Sequence, residues 1–161
     1  MNFYICWIVA ILLVVSLQCG LSYFLAFDTI RIDFTLVFVL FAGMLHGKRH
    51  GMVVGFFTGL LIDILNIGLF GFYTVLFTLV GTVTGAIQKK VYEDSYTLPV
   101  FLVLGFTFGG QLIWNICLAL GTNSLANIGS MLNIVFVKMI YNAVMVLPLL
   151  FIFVRTRRFF V

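Results

Sequence analysis

"GMLHGKRHGMVVGFFTGLLIDI", residues 43–64, is the stretch of sequence that decides the fold. Glycine recurs at every fourth position, and the next position in the series holds an acid: Gly43, Gly47, Gly51, Gly55, Gly59 and Asp63. Helices in lipid gain little from hydrophobic burial against each other, so they associate through close packing. Small residues spaced by four let two backbones approach. The last three glycines therefore predict a packing stripe on one helix.

The same spacing recurs at Gly81 and Gly85 and again at Gly105 and Gly109. We predict that helix packing is the role of seven glycines: Gly51, Gly55, Gly59, Gly81, Gly85, Gly105 and Gly109. The sequence leaves open whether each partner helix is internal or belongs to another protein. Gly43 and Gly47 are expected to continue the spacing but not the helix, because "GKRHG" carries charges and glycines that permit a turn.

The composition around this stretch is that of a membrane protein. The 161 residues are 63% hydrophobic and 9% charged, with a mean hydropathy of +1.24. Soluble domains are about 45–50% apolar and about 25% charged. We therefore predict an all-α, polytopic integral membrane protein, with one transmembrane domain over residues 1–161. The net charge of +4 does not indicate nucleic acid, because the basic residues form short clusters between apolar runs.

Apolar runs separated by short polar breaks predict about six spanning helices. They cover residues 3–27, 34–45, 52–65, 72–87, 98–120 and 131–154. The first run lacks a basic leader and a small-x-small cleavage site, so we interpret it as a retained helix. The second run is short, since about 12 residues span only about 18 Å of a core about 30 Å thick.

The positions of lysine and arginine predict the orientation in the membrane. Six helices place the topogenic residues on one side: Lys48, Arg49, Lys89, Lys90, Arg155, Arg157 and Arg158. The opposite side has only Arg31, flanked by Asp28 and Asp33. Positive charge favours the cytoplasmic face, so both termini are predicted to be cytoplasmic. Five or seven helices would scatter the basic clusters over both faces.

Polar residues inside the predicted spans suggest a buried cluster. Asp63 is the one acid well inside a span, and an unpaired charge there costs about 2.5 kcal/mol or more. Lys138 is the one base inside a span. Helix rise places the two at similar heights, with Gln111 and Asn142 near them. The cluster predicts a structural ion pair or a small-ligand or ion site open to the outside; alternatively, Asp63 reaches the outer interface through "NIGLFG".

No motif for catalysis, cofactor binding or metal binding is found. Phosphate loops, dinucleotide fingerprints and a nucleophile with its base are absent from the sequence. His46 and His50 are four apart, but Lys48 and Arg49 between them repel a cation. The three cysteines all fall in apolar runs, where a thiol usually behaves as a small apolar group. We predict no cofactor, no metal and no enzymatic activity.

Residues 51–81, "GMVVGFFTGLLIDILNIGLFGFYTVLFTLVG", resemble the MreD family of rod shape-determining membrane proteins. The family pattern is a glycine-spaced helix ending G-F-x-x-G-L-x-x-D, a glycine turn, and a helix with another glycine. The matching residues are Gly55, Phe56, Gly59, Leu60, Asp63, Gly71 and Gly81. Asp33 and "KMIYNAVMVLPLLF" also resemble the family, although Ile32 replaces the expected proline.

The resemblance implies a non-enzymatic scaffold subunit of the bacterial cell-elongation machinery in the inner membrane. It implies binding to the single-span protein MreC. The resulting complex would connect MreB filaments to the peptidoglycan synthases, the RodA glycosyltransferase and its class B transpeptidase partner. Membrane lipid and a second copy of the chain are further expected partners.

The MreD family is also similar in fold to the substrate-binding subunits of energy-coupling-factor vitamin transporters. Such a subunit is therefore the alternative function. These subunits dock through A-x-x-x-A on the first helix, whereas Ala10 is followed here by Val14. The missing second alanine favours the scaffold.

Overall fold

The computed structural model describes residues 2–24, 33–65, 69–87, 98–122, 135–140 and 142–144. Within these ranges the chain is helical apart from short turns and contains no strand, which confirms the predicted all-α class. The helices are α1 (Asn2–Phe24), α2 (Phe34–Leu65), α3 (Phe72–Ala86) and α4 (Leu98–Thr122). A C-terminal helical segment covers Val135–Val144. The chain groups into two compact units, Met1–Asp94 and Ser95–Val161.

The predicted break at "HGKRHG" is confirmed, but it is confined to a single residue, because α2 is helical on both sides of it. Only Gly47 leaves helical geometry, with φ 81° and ψ −177°. Glycine tolerates positive φ because it has no Cβ, so one residue is enough to redirect the chain. The predicted second and third helices are thus two limbs of α2, over residues 34–46 and 48–65.

The two limbs of α2 fold back on each other at the kink. A Cβ built on Gly51 would lie 2.7 Å from the Cα of Gly43. An unbroken helix would separate these two positions by about 12 Å, at 1.5 Å per residue. The first limb therefore doubles back into the second as a helical hairpin.

α1 lies antiparallel to the first limb of α2. The ring of Trp7 packs against His46 near the kink, with centroids 4.9 Å apart. Near the other end, the Phe34 amide donates to Gln18 Oε1 at 2.8 Å. The first unit therefore has a kink end, with Trp7 and His46, and an opposite end, with Gln18 and Phe34.

Within the described residues, α4 over Pro99–Cys117 is the one helix that is long and apolar enough to cross a bilayer by length and composition. The shorter apolar helices are Ile5–Gly20, Phe72–Ala86 and Val135–Val144. The count of six spanning helices and the single transmembrane domain stay predictions. Lys89, Lys90, Arg155, Arg157 and Arg158 lie outside the described residues.

Candidate functional site: a glycine crossing and a capped helix

The second limb of α2 crosses α3 with backbone against backbone. A Cβ on Gly59 would lie 2.5 Å from the Cα of Thr74, and a Cβ on Gly55 would overlap the carbonyl oxygen of Phe77. Real Cβ atoms do not approach other atoms this closely, so both positions require glycine at this helix separation. The packing partner of this stripe is thus internal, which the sequence left open.

The crossing continues to the kink end, where it joins both limbs of α2. A Cβ on Gly51 would overlap the carbonyl oxygen of Gly81, and a Cβ on Gly43 would lie 2.8 Å from the same oxygen. A Cβ on Gly85 would lie 2.5 Å from the amide nitrogen of Lys48. Three helical segments therefore meet at this point, with the Thr84 side chain packed against Gly43.

Gly43 and Gly47 do not continue the helix of Gly51, as expected, but both take part in this arrangement. Gly43 packs in the crossing, and Gly47 makes the kink that brings Gly43 there. Gly105 and Gly109 differ, since no atom of the described residues lies within 4 Å of a Cβ built on either. Their role in helix packing stays a prediction.

Asp63 caps the start of α3. Its side chain is only 4% exposed, in the last turn of α2. One carboxylate oxygen accepts from the Tyr73 amide at 3.1 Å. The other accepts from the Thr74 amide at 2.8 Å and from Thr74 Oγ1 at 2.6 Å. The N-cap residue, Gly71, offers no side chain for this purpose. Asp63 therefore supplies from a neighbouring helix the cap that α3 lacks.

This geometry corrects the argument that Asp63 needs a base. The first amides of a helix lack intrahelical acceptors, and the helix dipole puts partial positive charge there. A carboxylate at that position is stabilised both by hydrogen bonds and by the dipole. Both oxygens of Asp63 already accept hydrogen bonds from α3.

The other members of the predicted polar cluster lie in the second unit. They take part in two side-chain hydrogen bonds that join α4 to the C-terminal segment. Lys138 Nζ donates to Gln111 Oε1 at 3.3 Å. Asn142 Nδ2 donates to Thr107 Oγ1 at 3.0 Å, and Asn142 is fully buried. The two hydrogen-bonded pairs are four residues apart on each helix, so together they fix the register of one helix against the other. Asp63 belongs to the first unit, and its pairing with Lys138 stays a prediction.

A profile of the family described as rod shape-determining protein MreD matches residues 1–158. The chain belongs to the MreD family. Its general role is thus rod-shape determination, and it is a membrane protein of a shape-determining family that is not known as enzymatic. No curated protein and no solved structure matches the chain.

Sequence reasoning missed several residues that position the site of this MreD-family chain. They are Trp7, Gln18, Thr74 and Thr107. One signal was available for Thr74. Gly71 begins a helix without a capping side chain, eight residues after a membrane-embedded acid. An uncapped helix start in lipid needs an acceptor from elsewhere, and Asp63 was the nearest one in sequence.

The kink of the MreD-family chain carries a group of basic residues beside the contact of Trp7 with His46. Lys48, Arg49, His46 and His50 are all exposed. His50 Nδ1 lies 3.2 Å from the His46 carbonyl oxygen, which accepts from the Nδ1–H tautomer of the ring. Partial burial, and then the neighbouring His50, lower the pKa of the His46 imidazole. The lowered pKa favours the neutral form of the His46 imidazole. Lys48 and Arg49 are the two lysine or arginine residues of the kink.

A hollow of about 360 Å³ lies between α4 and the C-terminal segment. Only apolar side chains line it, among them Leu104, Phe136, Met139 and Ile140. Sites for polar small molecules hold a few convergent hydrogen-bonding groups to fix orientation. This hollow offers none, so its lining does not suit a water-soluble vitamin.

Proposed function

We propose that this chain is a non-enzymatic membrane scaffold of the cell-elongation machinery. It binds an MreC-like single-span protein and so helps couple MreB filaments to RodA and its class B transpeptidase partner. The observation that carries the proposal is the backbone crossing of α2 and α3. It leaves no space for a ligand at Gly55 or Gly59 and turns apolar side chains outward.

The outward faces of the first unit suit contact with lipid and with other membrane helices. On α2 the exposed side chains include Met52, Val53, Phe56 and Phe57. On α1 they include Ile5, Ile8, Leu12 and Leu13. An apolar face of this kind packs against a spanning helix without burying an unpaired polar group. It supports binding to a single-span partner or to a second copy of the chain.

Co-purification from native membranes in mild detergent tests the proposal. The tagged chain is expected to retain an MreC-like single-span protein, identified by mass spectrometry. The matched control is an unrelated multi-span protein with the same tag at the same abundance. Recovery of an ATP-binding cassette pair in place of the MreC-like protein would contradict the scaffold and favour the alternative, a transporter's substrate-binding subunit.

We also propose a multi-pass topology in the inner membrane with both termini in the cytoplasm. The backbone of Gly85 lies against Lys48, so α3 ends beside the kink. Lys89 and Lys90 follow a few residues later, which supports a common side for these two basic clusters. The acids Asp33 and Asp63 lie at the opposite end, beside Gln18 and Tyr73 respectively.

Cysteine labelling of intact cells tests this topology. In a background without the native cysteines, a cysteine at position 2 or 158 is expected to resist a membrane-impermeant reagent until the cells are opened. The reason is that the basic clusters hold both ends in the cytoplasm. Labelling of either position from outside would contradict the proposed orientation.

A further inference from the structure

We propose that the kink of α2 is a binding site for the anionic headgroup of a phospholipid, with Lys48 and Arg49 holding its phosphate. The site, called here the kink patch, consists of His46, Lys48, Arg49 and His50. This proposal is independent of the role in rod shape.

The charges of Lys48 and Arg49 have no counter-ion among the described residues. No hydrogen bond or ion pair joins Lys48 or Arg49 to another described side chain. The two acids that the structure describes, Asp33 and Asp63, lie at the opposite end of the first unit. Two adjacent exposed cations are therefore not neutralised by any acid that the structure describes, and they can bind the phosphate of a lipid.

The surroundings of the kink patch have the polarity of a lipid site. Leu45 precedes the patch, and Met52 and Val53 follow it; all three are exposed apolar side chains. Trp7, stacked edge-on against His46, fits the headgroup level, where tryptophan is enriched. A phosphate at Lys48 and Arg49 would thus have its acyl chains directed along apolar surface.

The backbone of the kink patch is held in place by packing, unlike the backbone of charged residues on a free loop. Gly85 of α3 packs directly on the Lys48 backbone, and the single kinked residue Gly47 joins two helical limbs. Less ordering is therefore needed when a headgroup binds. The Arg49 guanidinium is planar and suits two parallel hydrogen bonds to phosphate oxygens.

The test uses Trp7 as a reporter. The chain has two tryptophans, so Trp114→Phe leaves Trp7 as the single fluorophore. The full chain is placed in phosphatidylcholine nanodiscs with a small fraction of brominated phosphatidylglycerol or of brominated phosphatidylcholine. We expect stronger quenching by the anionic lipid. Lys48→Gln with Arg49→Gln should lower the relative association constant about tenfold, since each base near an anionic surface contributes measurably.

Two further variants separate a site from a general positive surface. Lys89→Gln with Lys90→Gln removes two positive charges from another basic cluster. This variant is expected to keep the preference for the anionic lipid. Arg49→Lys keeps the charge and should keep most of the preference for the anionic lipid. Equal melting temperatures of the variants in the discs exclude misfolding. Equal quenching by both lipids would overturn the proposal, as would equal loss in the Lys89/Lys90 variant. Full competition by soluble glycerol phosphate would assign the patch to a free anion and would also overturn it.

Discussion

Gly55→Ala is expected to destabilise the protein by about 3 kcal/mol or more and to reduce its abundance in the membrane. Overpacking a well-packed core costs about 1–3 kcal/mol when side chains move aside. At Gly55 the new methyl group meets the backbone carbonyl of Phe77, which cannot rotate away. The helices must separate, and contacts along the whole crossing weaken. Gly59→Ala should behave alike, because it meets the Thr74 backbone. Thermal unfolding in detergent measures the loss.

Gly20→Ala and Gly105→Ala are the matched controls for this prediction. Both glycines are helical, and no atom of the described residues lies within 4 Å of the added methyl group. Alanine is favoured over glycine in helices by about 1 kcal/mol, so these variants should be neutral or slightly stabilised. Similar melting temperatures for Gly55→Ala and Gly20→Ala would contradict the crossing.

Asp63→Ala is expected to give the second large loss, about 2–5 kcal/mol. It removes the carboxylate that accepts from the Tyr73 and Thr74 amides, and each buried donor that loses its acceptor costs about 1–3 kcal/mol. Asp63→Asn keeps one acceptor oxygen, so its stability should lie between that of Asp63→Ala and that of the wild-type protein. Denaturant or thermal unfolding in detergent provides the comparison.

A double-mutant cycle identifies the partner of Asp63. Thr74→Val removes the hydroxyl that donates to Asp63 at 2.6 Å and keeps the amide. Residues in direct contact couple by about 0.5–3 kcal/mol, so the combined loss with Asp63→Ala should be smaller than the sum. Strict additivity would contradict the cap.

Lys138→Met, combined with Asp63→Ala, tests the predicted ion pair in the same assay. Removing one member of a buried pair costs about 3–5 kcal/mol, whereas replacing both is often close to neutral. Recovery in the double variant would support the pairing. If the stability losses of the two single variants add in the double variant, Asp63 and Lys138 are not coupled, and the hydrogen bonds from α3 are the ones that stabilise Asp63.

The sequence predicted the bounds of the helices better than the geometry of the connections between them. Apolar runs and glycine spacing placed α1, α3 and α4 within a few residues of their observed bounds, because composition and length alone mark a membrane helix. The break at "HGKRHG" was predicted but its shortness was not, because charged residues and glycines predict a loop, whereas the single positive-φ residue Gly47 completes the turn.

The partner of Asp63 was missed for a related reason. Sequence reasoning paired the acid with the one base inside a span, because opposite side-chain charges are visible in a sequence. The positive end of a helix has no residue letter of its own. The missing cap at Gly71 was the one signal in the sequence, and the structure shows that the Tyr73 and Thr74 amides of α3 donate to the carboxylate.

The most direct test of the scaffold proposal is cell shape. Rod-shaped cells depleted of their own MreD-family protein are expected to recover a constant width and a cylindrical outline when they express this chain. Gly55→Ala should leave them round at the growth temperature, whereas Gly20→Ala should support rods. Cells that stay round although the wild-type chain is abundant in the membrane and bound to its MreC-like partner would contradict the account.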